Sequence, residues 1–147
     1  MADQFLSVFF IGICNLGIEM AAGRILAPWF GSSLYQWAAL ISVALFSYSV
    51  GYSFHEKITN RRWLMYFCSL YTFAIPFWFN YVAGKITNFS FAPASILMSF
   101  LLISLPSICW AAVLPLVQKK ADASLRGKVL MVSTLGNLAG VYLISFL

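Results

Sequence analysis

Residues Phe5 to Trp37 read FLSVFFIGICNLGIEMAAGRILAPWFGSSLYQW. A membrane-crossing helix needs about 20 mostly apolar residues. The part from Phe5 to Ala27 meets that need, with only Glu19 and Arg24 bearing formal charge. The turn Pro28-Trp29-Phe30-Gly31-Ser32-Ser33 follows, and Leu34 opens the next apolar run. The stretch therefore reads as membrane helix, turn, membrane helix. An ionisable group at membrane depth costs about 2.5–3.5 kcal/mol even on insertion scales, so Glu19 and Arg24 call for partners or a function.

The rest of the chain repeats this pattern. Of its 147 residues, 62% are hydrophobic and 9% charged, against about 25% charged in soluble domains. The expected fold is all-α, a polytopic integral membrane protein of about five transmembrane helices. The spans run about 5–27, 34–54, 63–82, 93–117 and 129–147, forming a single domain of antiparallel neighbours joined by short loops. Asp3 precedes the first span with no Lys or Arg, which is a poor secretory signal, so the first span is expected to be retained. The chain ends at Phe146-Leu147 without a charged flank. That leaves two alternatives: a C-terminus at the outer interface, or a longer chain of which this is a fragment.

Net charge is +5, and it sits in the loops. Lys57, Arg61 and Arg62 lie between spans two and three, and Lys119, Lys120, Arg126 and Lys128 between spans four and five. The other side has Lys85, with Arg24 near the end of span one. Cytoplasmic loops are enriched in Lys and Arg, which puts the N-terminus in the cytoplasm and the C-terminus outside. A bacterial inner membrane is the expected location. So strong a bias excludes pairing with an inverted copy, and self-association should be parallel. The basic residues read as orientation signal and headgroup contact, with the lipid bilayer as partner and not nucleic acid.

Asn15 and Glu19 are four apart and share a helix face, with Gly12 and Gly23 near the same stripe. Lipid offers Glu19 no partner, so this face is expected to point into the bundle. Arg24 lies about 140° around the helix from Glu19 at 3.6 residues per turn, too far for a direct pair. Glu19 is then neutral or paired with another helix. It acts either as a proton or cation site or as an interhelical hydrogen-bonding residue. Arg24 is expected at the outer interface or capping the turn at Pro28, with substrate binding as the alternative.

Span two carries a small or polar stripe, Tyr35, Ala38, Ser42, Ser49 and Tyr52, expected as a packing face, with a solute pathway as the alternative. The aromatics of span three read as lipid contacts and interface belts, with Phe67 and Tyr71 also able to form a cation–π wall for an amine. Pro76 in span three, and Pro106 and Pro115 in span four, are expected to interrupt their helices. Such a broken helix either bends or lines a cavity. Span five carries Gly136 and Gly140 as a GxxxG packing pair with Ser133 beside it. Asn137 near mid-membrane needs a partner, and Glu19 is a candidate.

Cys14, Cys68 and Cys109 all lie in apolar segments without metal or disulfide spacing and read as packing residues. His55 is the single histidine. No P-loop or GxGxxG motif occurs. No Ser/His/Asp or Cys/His set is available, so neither an enzyme nor a cofactor is expected. Asn88-Phe89-Ser90 is a glycosylation sequon.

The run from Glu19 to Trp37 resembles the opening of the membrane domain of fused transporter-like spermidine synthases, polyamine aminopropyltransferase relatives with a major-facilitator-like membrane part. Their first helix typically carries a Glu, then an A-G-R-x-L-A-P-x-F-G-x-S turn, then a Trp opening the second helix. Val50-Gly51-Tyr52 is similar to the end of their second helix. Leu114-Pro115-Leu116 is similar to their fourth, and Ser133 to Gly140 to their fifth. The loop His55 to Arg61 lacks their Gly-Gly and acidic residue, and it matches the major-facilitator gating motif only loosely. The resemblance implies part of a major-facilitator half, without the soluble synthase domain and its catalytic aspartates.

Two functions follow as expectations. The first is a non-catalytic accessory or structural subunit, or an anchor for a separate enzyme, because five helices are few for alternating access by two repeats. The alternative is a small-solute transporter or binding protein, an amine among the candidates, working as a parallel oligomer. Glu19 facing Asn137, with Trp37 and Tyr48 as walls, motivates the second.

Overall fold

The computed structural model describes residues 2–57, 61–86, 89–120 and 123–146. These form five long helices: α1 (Ala2–Phe30), α2 (Leu34–Phe54), α3 (Arg61–Ile86), α4 (Phe91–Lys120) and α5 (Ala123–Phe146), with a short 3-10 turn at His55–Lys57. The described residues contain no strand, and the fold is that of an all-α polytopic membrane protein. Residues 58–60 of the loop compared with the gating motif, Asn88 of the sequon and Leu147 lie outside the described residues.

Four helices are long and apolar enough to cross a membrane: Phe5–Phe30, Leu34–Phe54, Phe91–Lys119 and Leu125–Phe146. The third of the five expected spans is a helix of 26 residues but is not in this group. Its length suffices. Its apolar character is diluted by Trp and Tyr, which are amphipathic and favour the interface. Pro76 stands inside α3, and Pro106 and Pro115 inside α4, and both helices continue past them.

The turn after α1 is shorter than the sequence suggests. The helix runs through Pro28 to Phe30. Gly31 then adopts φ +71°, and its N–H donates to the Ala27 carbonyl at 2.8 Å. This left-handed cap is one that glycine forms without a Cβ penalty. Ser33 caps the next helix, its hydroxyl accepting from the Gln36 N–H at 3.3 Å.

The closest helix pairs are not neighbours in sequence. Consecutive helices run antiparallel, but α1 packs most extensively on α5, and α2 on α4. Both pairs are parallel. A Cβ on Gly136 would strike the Phe9 carbonyl, and one on Gly140 the Ile13 carbonyl, four residues further along each helix. From the other side, a Cβ on Gly12 would come within 2.6 Å of the Ser133 carbonyl oxygen. The GxxxG pair thus lies where the two backbones approach closely. In the second pair a Cβ on Gly51 would lie 2.5 Å from the Ile108 carbonyl oxygen and 2.8 Å from Ala111 Cβ.

The packing face of α2 corrects the sequence reading. Gln36, Ala39, Leu40, Val43, Ala44, Ser47 and Gly51 are buried. The stripe Tyr35, Ala38, Ser42, Ser49 and Tyr52 is exposed. Both stripes contain small residues, but only the buried one includes Gly51, where two backbones meet. On this face Gln36 is 1% exposed. Its amide donates to Ser99 Oγ at 3.3 Å and accepts from Ser95 Oγ at 2.7 Å, joining α2 to α4.

Helix α4 is the centre of the bundle. Its apolar span is 56% buried, against 17–33% for the other three, and it touches every other helix. The main core joins Leu26 and Phe30 of α1, Leu40 and Val43 of α2, Phe79 of α3 and Met98, Leu102 and Ile103 of α4. Helix α3 packs chiefly on α4, where Tyr71 donates to the Leu101 carbonyl. Its other aromatics, including Trp63, Tyr66, Phe67, Phe73 and Phe77, face outward, as lipid contacts do.

Candidate functional site

Four helices enclose a cavity of about 180 Å³. Helix α1 contributes Asn15 and Glu19, α2 contributes Tyr48 and Tyr52, α4 contributes Trp110 and Leu114, and α5 contributes Ser133 and Asn137. The polar side chains are delivered by the tight α1–α5 pair. Gly12 and Gly136 bring the two backbones together, and Asn15 and Asn137, each within one turn of those glycines, project into the space beside the contact. Glu19 extends the same α1 face by one further turn.

The oxygens Asn15 Oδ1, Glu19 Oε1 and Asn137 Oδ1 are buried and have no hydrogen-bond partner. Buried polar groups in native proteins are nearly always paired, so three orphan acceptors on one cavity mark an unmet demand for donors. No Lys, Arg or His lines the cavity. Ser107 Oγ of α4 is also buried and unpaired, but it does not line this space.

Of the expected site residues, Asn15, Glu19, Tyr48, Ser133 and Asn137 come together here. Glu19 and Asn137 share the cavity without a hydrogen bond between them to satisfy those oxygens. Two expected residues lie elsewhere. Trp37 packs on Gly23, where a Cβ would sit 2.8 Å from its ring, so it braces α2 against α1 and does not line this cavity. Arg24 does not cap the Pro28 turn. Its Nη2 donates to the Ser145 carbonyl at 2.6 Å, because α5 runs parallel to α1 and ends beside it, and the last carbonyls of a helix need donors. Phe67 and Tyr71 are on α3, away from the cavity.

Trp110, in the helix read as able to line a cavity, and Tyr52, at the end of the α2 stripe, also line this space. Trp110 was legible as a polar-tipped residue in a Pro-interrupted helix, and Tyr52 as one turn beyond Tyr48. What the sequence lacked was the pairing that turns both toward α1. Gln36 was missed as a buried residue altogether, although Ser33 followed three residues later by Gln36 is a helix-start signature.

Lys119 Nζ lies 3.9 Å from Glu56 Oε1, both exposed, so the end of α4 meets the 3-10 turn that follows α2. Lys85 stacks over Tyr81 at 4.5 Å near the end of α3.

Comparison with family models, with curated proteins and with solved structures finds no match.

Proposed function

We propose that this chain is a non-catalytic membrane module that binds a small polar solute between α1, α2, α4 and α5. One observation carries the reading: three unpaired acceptor oxygens, from Asn15, Glu19 and Asn137, converge on one cavity. A purely structural polar cluster would pair its members with each other, since each unmet buried acceptor costs about 1–3 kcal/mol. The proposal includes a membrane orientation with α3 as a fifth span, the N-terminus and the basic loops in the cytoplasm, and a bacterial inner membrane as the location. The resemblance of Glu19 to Trp37 to fused spermidine synthases supports a module of that kind without the synthase domain.

The test is a thermal-shift panel of small amines, amino acids, sugars and carboxylates on protein purified in mild detergent. At least one solute should raise the Tm of the wild type and leave Glu19→Gln unmoved at equal expression. If no solute moves the wild type, the cavity is structural and the reading fails.

A second reading, an accessory subunit or an anchor for a separate enzyme, is favoured by a different observation. An open groove of about 690 Å³ runs between α1, α3 and α5, lined by Ile13, Ile18, Phe73, Leu143 and Ile144 among others. Helix α3 leaves this side of the bundle uncovered. Mass spectrometry of the intact particle from native membranes tests it: a stoichiometric different protein supports a subunit, and a bare monomer argues against one.

A further inference from the structure

The unpaired buried oxygens of the cavity are all acceptors, and we infer that its ligand is a small primary ammonium ion, taken up in exchange for the Glu19 proton. This rests on the solute-binding reading above and names the solute class. Asn15 Oδ1, Glu19 Oε1 and Asn137 Oδ1 are all acceptors without donors. A primary ammonium presents three N–H donors and no acceptor. An anion has no cationic side chain to meet among the lining residues. An alcohol brings one donor and leaves two oxygens unmet. A hard divalent ion wants six or more oxygens in a close cage, whereas these walls are largely aromatic and aliphatic. The remaining volume suits a short carbon stem against Tyr48, Tyr52 and Trp110, whose ring faces also attract a cation.

Charge balance supplies the exchange. The groups facing Glu19 from α2 are Tyr48 and Tyr52. From α4 they are Trp110 and Leu114, and from α5 Ser133 and Asn137, none of which titrates. On its own helix Arg24 is turned away to the Ser145 carbonyl. No lining side chain is a cation that could offset an ionised Glu19 in the empty cavity. When the ammonium ion enters, the carboxyl O–H bond breaks and its proton passes to water. The carboxylate then pairs with the incoming N–H donors. One positive charge enters as one leaves, and the cavity stays neutral throughout.

The experiment is calorimetric titration of the full chain, in mild detergent, with n-butylammonium chloride in two buffers of different ionisation enthalpy. The expected result is saturable binding with one proton released per ion bound. Apparent affinity should rise about tenfold per pH unit while the free carboxyl is protonated. Glu19→Gln should weaken binding at least tenfold and release no proton. Asn137→Ala should weaken binding but keep the proton release, which a merely structural role for Asn137 would not produce. n-Butanol, of equal size and uncharged, should not compete. Binding of butylammonium without proton release, or equally well to Glu19→Gln, overturns the exchange. Competition by sodium chloride or n-butanol overturns the ammonium class and leaves the cavity a solute site. Failure of every solute in the thermal-shift panel overturns the solute-binding reading itself.

Discussion

Gln36 and Gly31 show how much single positions matter in a bundle with so few polar groups. Gln36 is the only buried side chain that hydrogen-bonds two residues of another helix among the described residues. Interhelical hydrogen bonds in membranes average about 0.6 kcal/mol, with a maximum near 1.7. Gln36→Leu should therefore destabilise by about 1 kcal/mol in reversible denaturation, because Ser95 and Ser99 can turn back to their own helix carbonyls. Gly31, at φ +71°, has open space around its absent Cβ, so Gly31→Ala isolates backbone strain from packing. A loss of about 1–2 kcal/mol is expected, the usual penalty for an L side chain in the left-handed region.

Among whole elements, two parallel pairs decide the architecture, and each rests on glycine. Gly136→Val should separate α1 from α5 and open the polar cavity between them. Gly51→Val should separate α2 from α4. Each replacement meets backbone atoms and cannot be relieved by a rotamer change, so a destabilisation of about 1–3 kcal/mol or more is expected. Gly84, inside α3, has nothing within 4 Å of its absent Cβ. Gly84→Ala should instead stabilise by about 0.4–1 kcal/mol, since alanine is the better helix former. Unfolding midpoints of the three variants measured side by side check the contrast. If Gly136→Val matched Gly84→Ala, the α1–α5 contact would be wrong.

The same elements show what a sequence can reveal. Helix positions were legible, because five apolar runs separated by basic or Gly-Ser turns leave little choice of boundaries. Within the site, Glu19, Asn15 and Asn137 stood out because a polar group in an apolar span has few partners to choose from. Illegible were the pairings. Short loops fix which helices are antiparallel, yet α1–α5 and α2–α4 are chosen by backbone proximity at Gly12, Gly136 and Gly51, and small residues recur on several faces. For that reason the exposed stripe of α2 looked as suitable as the buried one. The acceptor of Arg24, the Ser145 carbonyl, is likewise invisible until α5 is laid beside α1.

For the whole molecule, the Lys119–Glu56 pair puts the C-terminal ends of α2 and α4 at one end of the bundle. The positive-inside tendency then favours that end facing the cytoplasm. With a cysteine-free background and a membrane-impermeant maleimide on intact cells, Ser90→Cys should label at once. Glu56→Cys should label only after permeabilisation. The reverse pattern would invert the orientation, and labelling of both positions from outside would mean that α3 does not cross.

Parallel pairing of α1 with α5 also has a consequence for biosynthesis. The ribosome delivers Gly136 roughly 120 residues after Gly12, a wait of about 6–24 s at 5–20 residues per second. During that interval Glu19 sits in a nascent helix whose counterpart does not yet exist. The first helix must therefore hold its place by its own greasiness, and Asn137, arriving late, closes a chamber the earlier helices have kept open. Mutations that lower the hydrophobicity of α1 should then reduce yield in the membrane more than they reduce the stability of molecules already assembled.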